Sequence, residues 1–134
     1  MKNSSDLTVI TKAKDLCAYI MTVTEKSPKR FRFTFVTRMQ NLALDVIEYL
    51  YRANDLRVGK GRAGESEQRL EFQRKAMTNL RLLGYFAMLA TEQKCILPKQ
   101  FERISFLSTE CMNLLGAWMN SDKKRLKLLA SPTA

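Results

Sequence analysis

PKQFERISFLSTECMNLLGAWMN, residues 98–120, decides the fold. Phe101, Ile104, Ser108, Cys111, Leu115 and Trp118 recur at steps of three and four, which places them on one face of a helix. Pro98 suits the first helical position, where its missing N–H costs nothing. A helix with one apolar stripe must bury it against other elements, so this helix needs neighbours.

The same periodicity recurs upstream. A third helix is predicted from near Glu65 or Ser66 to near Lys94, with Glu65, Glu67 and Glu71 at the positive end of its dipole. A second runs from about Pro28 to Asp55, with Ser27 as N-cap and a core face of Phe35, Met39, Leu42, Val46, Leu50 and Ala53. A first runs from about Asp6 to Glu25, capped by Ser4 or Ser5. Its stripe is Leu7, Ile10, Cys17, Ile20, Met21 and Thr24, interrupted at Lys14. From about residue 121 the chain is a basic tail that extends the last helix or frays. Four amphipathic helices with short connections imply an all-α antiparallel four-helix bundle, one domain over residues 1–134.

The net charge is +10, from 23 Lys and Arg against 13 Asp and Glu. Such an imbalance repels itself and points to a polyanionic partner, nucleic acid first and an anionic membrane surface second. No apolar run reaches the ~18 residues of a spanning helix, and the N-terminus lacks a signal-peptide pattern, so a cytoplasmic protein without a membrane partner is expected. The chain has no histidine, which removes Cys/His zinc sites, histidine triads and histidine acid–base catalysis. Cys17, Cys95 and Cys111 are odd in number and far apart, hence expected as free, buried apolar residues. The carboxylates are scattered. Asp45 and Glu48 share a helix face, but Arg52 lies one turn on and can pair with Glu48. No catalytic residues, metal or cofactor are expected, and no enzyme.

The glycine-rich loop from Arg57 to Gly64 has Gly59 and Gly64 at phosphate-loop spacing. Glu65-Ser66 replaces the required Lys-Ser/Thr and no strand precedes it, so it reads as a basic connector. The third helix is apolar nearly all round, which predicts a homo-oligomer interface through Leu82, Tyr85, Phe86 and Leu89. Gly84 and Gly116, each costing about 1 kcal/mol against Ala in a helix interior, predict close helix–helix approach.

Three basic groups are candidate nucleic-acid contacts. Lys29, Arg30, Arg32 and Arg38 interleave with Phe31, Phe33 and Phe35, the mixture that single-stranded binding uses. Phe33 lies about 200° round a helix from Phe31, so it meets another subunit or stacks on an unpaired base. Arg74 and Arg81, seven apart, share a face with Thr78 between them, and either grip phosphates or pair with Glu71. Lys123, Lys124, Arg125 and Lys127 form the third group, or a solubilising tail.

Arg38-Met39-Gln40-Asn41-Leu42-Ala43, Leu80-Arg81, Leu97-Pro98-Lys99-Gln100 and Leu115-Gly116-Ala117-Trp118-Met119 resemble the bacterial four-helix-bundle family. That family contains the accessory variability determinant of diversity-generating retroelements and the proteins of rRNA intervening sequences. The resemblance spans about Lys26 to Arg125. It implies a basic homopentameric barrel that binds a reverse transcriptase and its template RNA or an RNA/DNA hybrid during mutagenic retrohoming. The alternative within the same family is an interaction bundle of the intervening-sequence type, without direct nucleic-acid function.

Overall fold

The computed structural model describes residues 4–130, with side chains from 8 to 129. Helix α1 is Ser4–Glu25, α2 is Thr37–Asp55, α3 is Ala63–Glu92 and α4 is Pro98–Ala130. Among the described residues there is no strand. Each helix packs on the next, and α1 packs on α4, which closes the ring and leaves α1 diagonal to α3. Late α1 meets early α2 where the Gln40 amide donates to Thr24 Oγ1 at 2.9 Å. Late α2 meets early α3 where Tyr49 stacks on Phe72 at 6.2 Å. Late α4 meets early α3 where Arg69 pairs with Asp122. These crossings define an antiparallel four-helix bundle.

The core is aliphatic: Leu16 and Ile20 from α1, Met39, Val46 and Leu50 from α2, Leu80 and Leu83 from α3, Ile104 and Leu115 from α4 are fully buried. Ala43 and Ala53 of α2 and Ala76, Ala87 and Ala90 of α3 are also buried, small side chains that let backbones come close. The expected stripes of α2 and α4 are the buried ones, with Phe35 and Phe101 half-buried at their ends. Cys17, Cys95 and Cys111 are buried and free.

Four expectations need correction. First, the α1 stripe is out of phase. Val9, Ala13, Leu16 and Val23 join Cys17, Ile20 and Thr24 inside, while Ile10 and Met21 are only half-buried. Lys14 is exposed beside this stripe and does not interrupt it. Capping by Ser4 or Ser5 and burial of Leu7 fall outside the described side chains.

Second, α2 does not begin at Pro28. A 3-10 turn over Lys29–Phe31 and a π-helical turn over Arg32–Val36 precede it. Ser27 caps nothing there; its hydroxyl donates to the Cys95 carbonyl at 2.9 Å and ties the α1–α2 turn to the α3–α4 turn. The Thr37 N–H reaches back five residues to the Arg32 carbonyl, which widens the turn by one residue. Third, α4 continues about ten residues past Asn120, so the basic tail is helical. Fourth, a Cβ built on Gly84 or Gly116 meets nothing within 4 Å, so neither marks a close helix approach within the chain.

The end of α3 is a Schellman cap. The Cys95 N–H donates to the Ala90 carbonyl at 2.7 Å and the Lys94 N–H to Thr91 at 3.0 Å. Lys94 stands in the left-handed region, at φ 65°, where glycine is usual.

Candidate nucleic-acid interface

Arg74 and Arg81 rise from the α4 side of α3, and Lys123 reaches toward them from α4. Together with Met77, Thr78, Gly116, Met119 and Asn120 they line one groove of about 480 Å³. Three cations line this groove and no carboxylate does. All three are exposed, and none is in an ion pair among the described residues, so Glu71 does not neutralise Arg74. Gly116, without a side chain, leaves the groove floor open.

Lys123 owes its position to a buried polar cluster beneath it. Arg69 donates from Nε to Asp122 Oδ2 at 2.7 Å and from Nη2 to Oδ1 at 3.0 Å. Its Nη1 donates to the Leu56 carbonyl at 2.9 Å, and Gln73 Nε2 donates to the same Asp122 carboxylate at 2.9 Å. The guanidinium also lies 4.8 Å from the Trp118 ring centroid. Sequence reasoning missed this cluster. The available signal was spacing: Asp122 is four after Trp118, on the inward stripe of α4, and Arg69 is four before Gln73 on that of α3.

The other expected contacts are not in this groove. Lys124, Arg125 and Lys127 are exposed on the α4 extension without lining it. Lys29 and Arg32 lie at the opposite end of the bundle, around a pocket shared with Glu25 between α1 and α2. Arg30 lies over Phe31, 4.6 Å from the ring centroid, and Phe31 packs on Phe35 at 5.9 Å. Arg38 turns to the other side, toward α3, where its guanidinium is 5.8 Å from the Phe86 ring centroid. Phe33 is 84% exposed, the most exposed aromatic side chain described.

On α3 the apolar outer side is real but narrower than expected. Tyr85 is 57% and Leu82 38% exposed, with Met88 beside them, while Leu89 is half-buried. Phe86 leaves this face and lines a cleft with Phe33 and Arg38. Asp45 and Glu48 form no catalytic pair, because Glu48 holds Arg52 at 2.8 Å. Among the described residues no group of Cys, Asp or Glu side chains fits a metal ion. Burial pushes the thiols of Cys17, Cys95 and Cys111 up, which keeps them neutral at pH 7. No described helix is long and apolar enough to cross a membrane.

The fold is similar to a crystal structure of a protein of unknown function from the S23 ribosomal protein family of Bacteroides thetaiotaomicron. The TM-score is 0.69 at 17% sequence identity, covering 87% of this chain and 98% of that one. The likeness is one of fold. No protein-family model matches the chain, and no curated protein does.

Proposed function

We propose that this chain is a non-enzymatic RNA-binding accessory protein that works as a homo-oligomer beside a reverse transcriptase, as in diversity-generating retroelements. One observation carries the reading: Arg74, Arg81 and Lys123 meet in a groove that lacks any carboxylate and has a glycine in its floor. Like charges gathered without counter-charge repel one another, and a phosphate backbone offsets that. A helix-interior glycine costs about 1 kcal/mol, and nothing in this chain occupies the space it leaves. The choice of polymerase rests on the family resemblance. The similar protein from the S23 ribosomal protein family has no known function of its own to lend.

The mechanism is electrostatic. Several subunits present their grooves to one RNA strand, and the phosphate contacts position it without reading its sequence. Binding of single-stranded RNA should therefore weaken with salt at about −0.7 in log K per phosphate contact. An oligomer making ~5 contacts loses about a hundredfold for a fourfold rise in salt. Replacing Arg74 and Arg81 by Ala should weaken binding to all sequences and flatten that slope by about 1.4. The assay includes the polymerase–RNA complex, and retention of neither ligand at low salt overturns the proposal. The interaction-bundle reading then stands, which the exposed Tyr51 and Phe106, outside the basic groove, favour.

A further inference from the structure

The cleft between α2 and α3 combines groups that neither helix offers alone. Phe33 comes from the π-helical turn before α2, Arg38 and Asn41 from the first turns of α2, and Phe86 from late α3. The cleft encloses about 500 Å³ and opens to solvent along the bundle surface. Its two aromatic rings differ in kind. Phe86 is half-buried and fixed by packing, with the Arg38 guanidinium 5.8 Å from its centroid. Phe33 is 84% exposed, so its ring face is open. Arg38 is the cation of the cleft, and no carboxylate lines it.

We infer that this cleft holds an unpaired nucleobase of a bound RNA strand, stacked against Phe33 and Phe86, with its edge toward Asn41. The inference rests on the RNA-binding reading and deepens it. The argument is chemical. A base presents a flat π face, which an open phenyl ring and a guanidinium plane both match. It carries donors and acceptors on its rim, and the Asn41 amide supplies one group of each kind. It is tethered to phosphates, and Arg30 and Lys29 lie on the same basic segment to receive them. A purely apolar protein segment would leave Arg38 and Asn41 to be desolvated without partners, which is unfavourable.

The position also fits the basic groove. Phe86 lies twelve residues beyond Arg74 on α3, about 18 Å along the axis. The two sites flank the same helix, so one extended strand can engage both. The groove then grips phosphates, and the cleft distinguishes a single strand from a duplex, whose bases are already stacked on one another.

The test uses the full-length protein and labelled RNA probes of equal length: oligo(rA), oligo(rU), a strand carrying abasic sites, and a duplex. The wild type should bind oligo(rA) about tenfold tighter than the abasic strand, since one stacked base contributes about that much. Phe33→Ala and Phe33→Leu should both erase this difference and leave the salt slope unchanged. Loss with Leu as well as Ala separates stacking from general apolar contact. Phe33→Trp should keep the preference, and its fluorescence should fall with oligo(rA) but not with the abasic strand. Trp118, 3% exposed, supplies a constant background. Asn41→Ala should narrow the gap between oligo(rA) and oligo(rU). A steep salt slope with equal binding of intact and abasic strands overturns the base site and leaves the RNA reading standing. Absence of any salt-dependent binding overturns both. If Phe33→Ala changes the subunit number and not RNA affinity, the cleft is a subunit contact and the inference fails.

Discussion

Arg69 and Asp122, 53 residues apart, form a buried two-pronged ion pair between α3 and α4, at 2.7 and 3.0 Å. Their side chains are 9% and 7% exposed, so each charge depends on the other for solvation. Breaking such a pair from one side leaves a buried charge uncompensated. Asp122→Ala is therefore expected to lower unfolding free energy by about 3–5 kcal/mol in urea denaturation. Lys123→Ala, one residue on and exposed, should change stability by less than about 0.5 kcal/mol. In RNA binding, Lys123→Ala should flatten the salt slope. A mild effect of Asp122→Ala on stability would show that the pair does not anchor the α4 extension.

Lys94 holds the left-handed position of the α3 cap at φ 65°. A side chain there strains against its own backbone, and glycine does not. Lys94→Gly is expected to raise stability by up to about 1 kcal/mol, although it removes a helix-favouring residue type. Gly61, at φ 78° in the α2–α3 loop, is the mirror experiment: Gly61→Ala should destabilise by about 1 kcal/mol. Thermal unfolding of the two variants should move in opposite directions.

The bundle was legible in the sequence because α2 and α4 repeat buried positions at unbroken three-and-four spacing. In α1, two stripes one residue apart both fit the pattern, and only packing chooses Ala13 and Leu16 over Ile10 and Met21. The π-helical turn at Arg32–Val36 escaped because it is a hydrogen-bond register, which no residue type announces. Arg74 and Arg81 were legible as a same-face pair, but Lys123 joins them only through the packing of α3 on α4. Arg69 and Asp122 were invisible, since charged residues are by default placed outside. Phe86 was assigned to a subunit interface because helical apolarity alone cannot say which side of α3 a cleft occupies.

Cys111 gives the bundle a pH dependence with a defined sign. Burial pushes its thiol up to about 12 from 9.0, with Glu110 adding to the shift, Lys12 opposing it and Asp15 adding again. Between these values the unfolded chain loses the proton and the folded chain keeps it. The stabilisation is complete below pH 9.0 and is lost as pH rises toward about 12. Urea midpoints should therefore fall from about pH 8 to about pH 10, and the fall should be smaller in Cys111→Ala. An equal fall in both proteins would assign the effect to other groups. In the native protein at neutral pH, thiol reagents should label all three cysteines slowly.

The outer side of α3 is expected to hold subunits together. Tyr85 is more exposed than Leu82, at 57% against 38%, so Tyr85→Glu should dissociate the assembly more completely than Leu82→Glu. Both should keep the helical circular dichroism of the wild type. Leu80→Glu, at a fully buried position, should instead unfold the subunit. Light scattering at micromolar concentration reads the outcome. A wild type that is monomeric there would remove the oligomer from the proposed mechanism.

Gly116 separates what the fold needs from what the groove needs. For the fold, glycine in the middle of α4 is a loss of about 1 kcal/mol, and an added Cβ would meet nothing within 4 Å. Gly116→Ala should therefore raise the unfolding free energy by up to about 1 kcal/mol. Gly84→Ala should do the same, since its Cβ also enters open space. For the groove, Gly116 lies in the lining shared by Arg74, Arg81 and Lys123. A leucine there keeps the helix and the charge but fills the floor. Gly116→Leu is expected to fold at least as stably as the wild type and to bind single-stranded RNA about tenfold more weakly, a cost of roughly 1.4 kcal/mol. Because no charge changes, long-range attraction is intact, and the loss reports steric exclusion of the strand from the three cations. The salt slope should shrink with it, as fewer phosphates reach their partners. Fluorescence anisotropy at two salt concentrations, beside the Gly84→Ala control, measures both quantities. Wild-type affinity in Gly116→Leu at both concentrations would mean that RNA does not enter this groove.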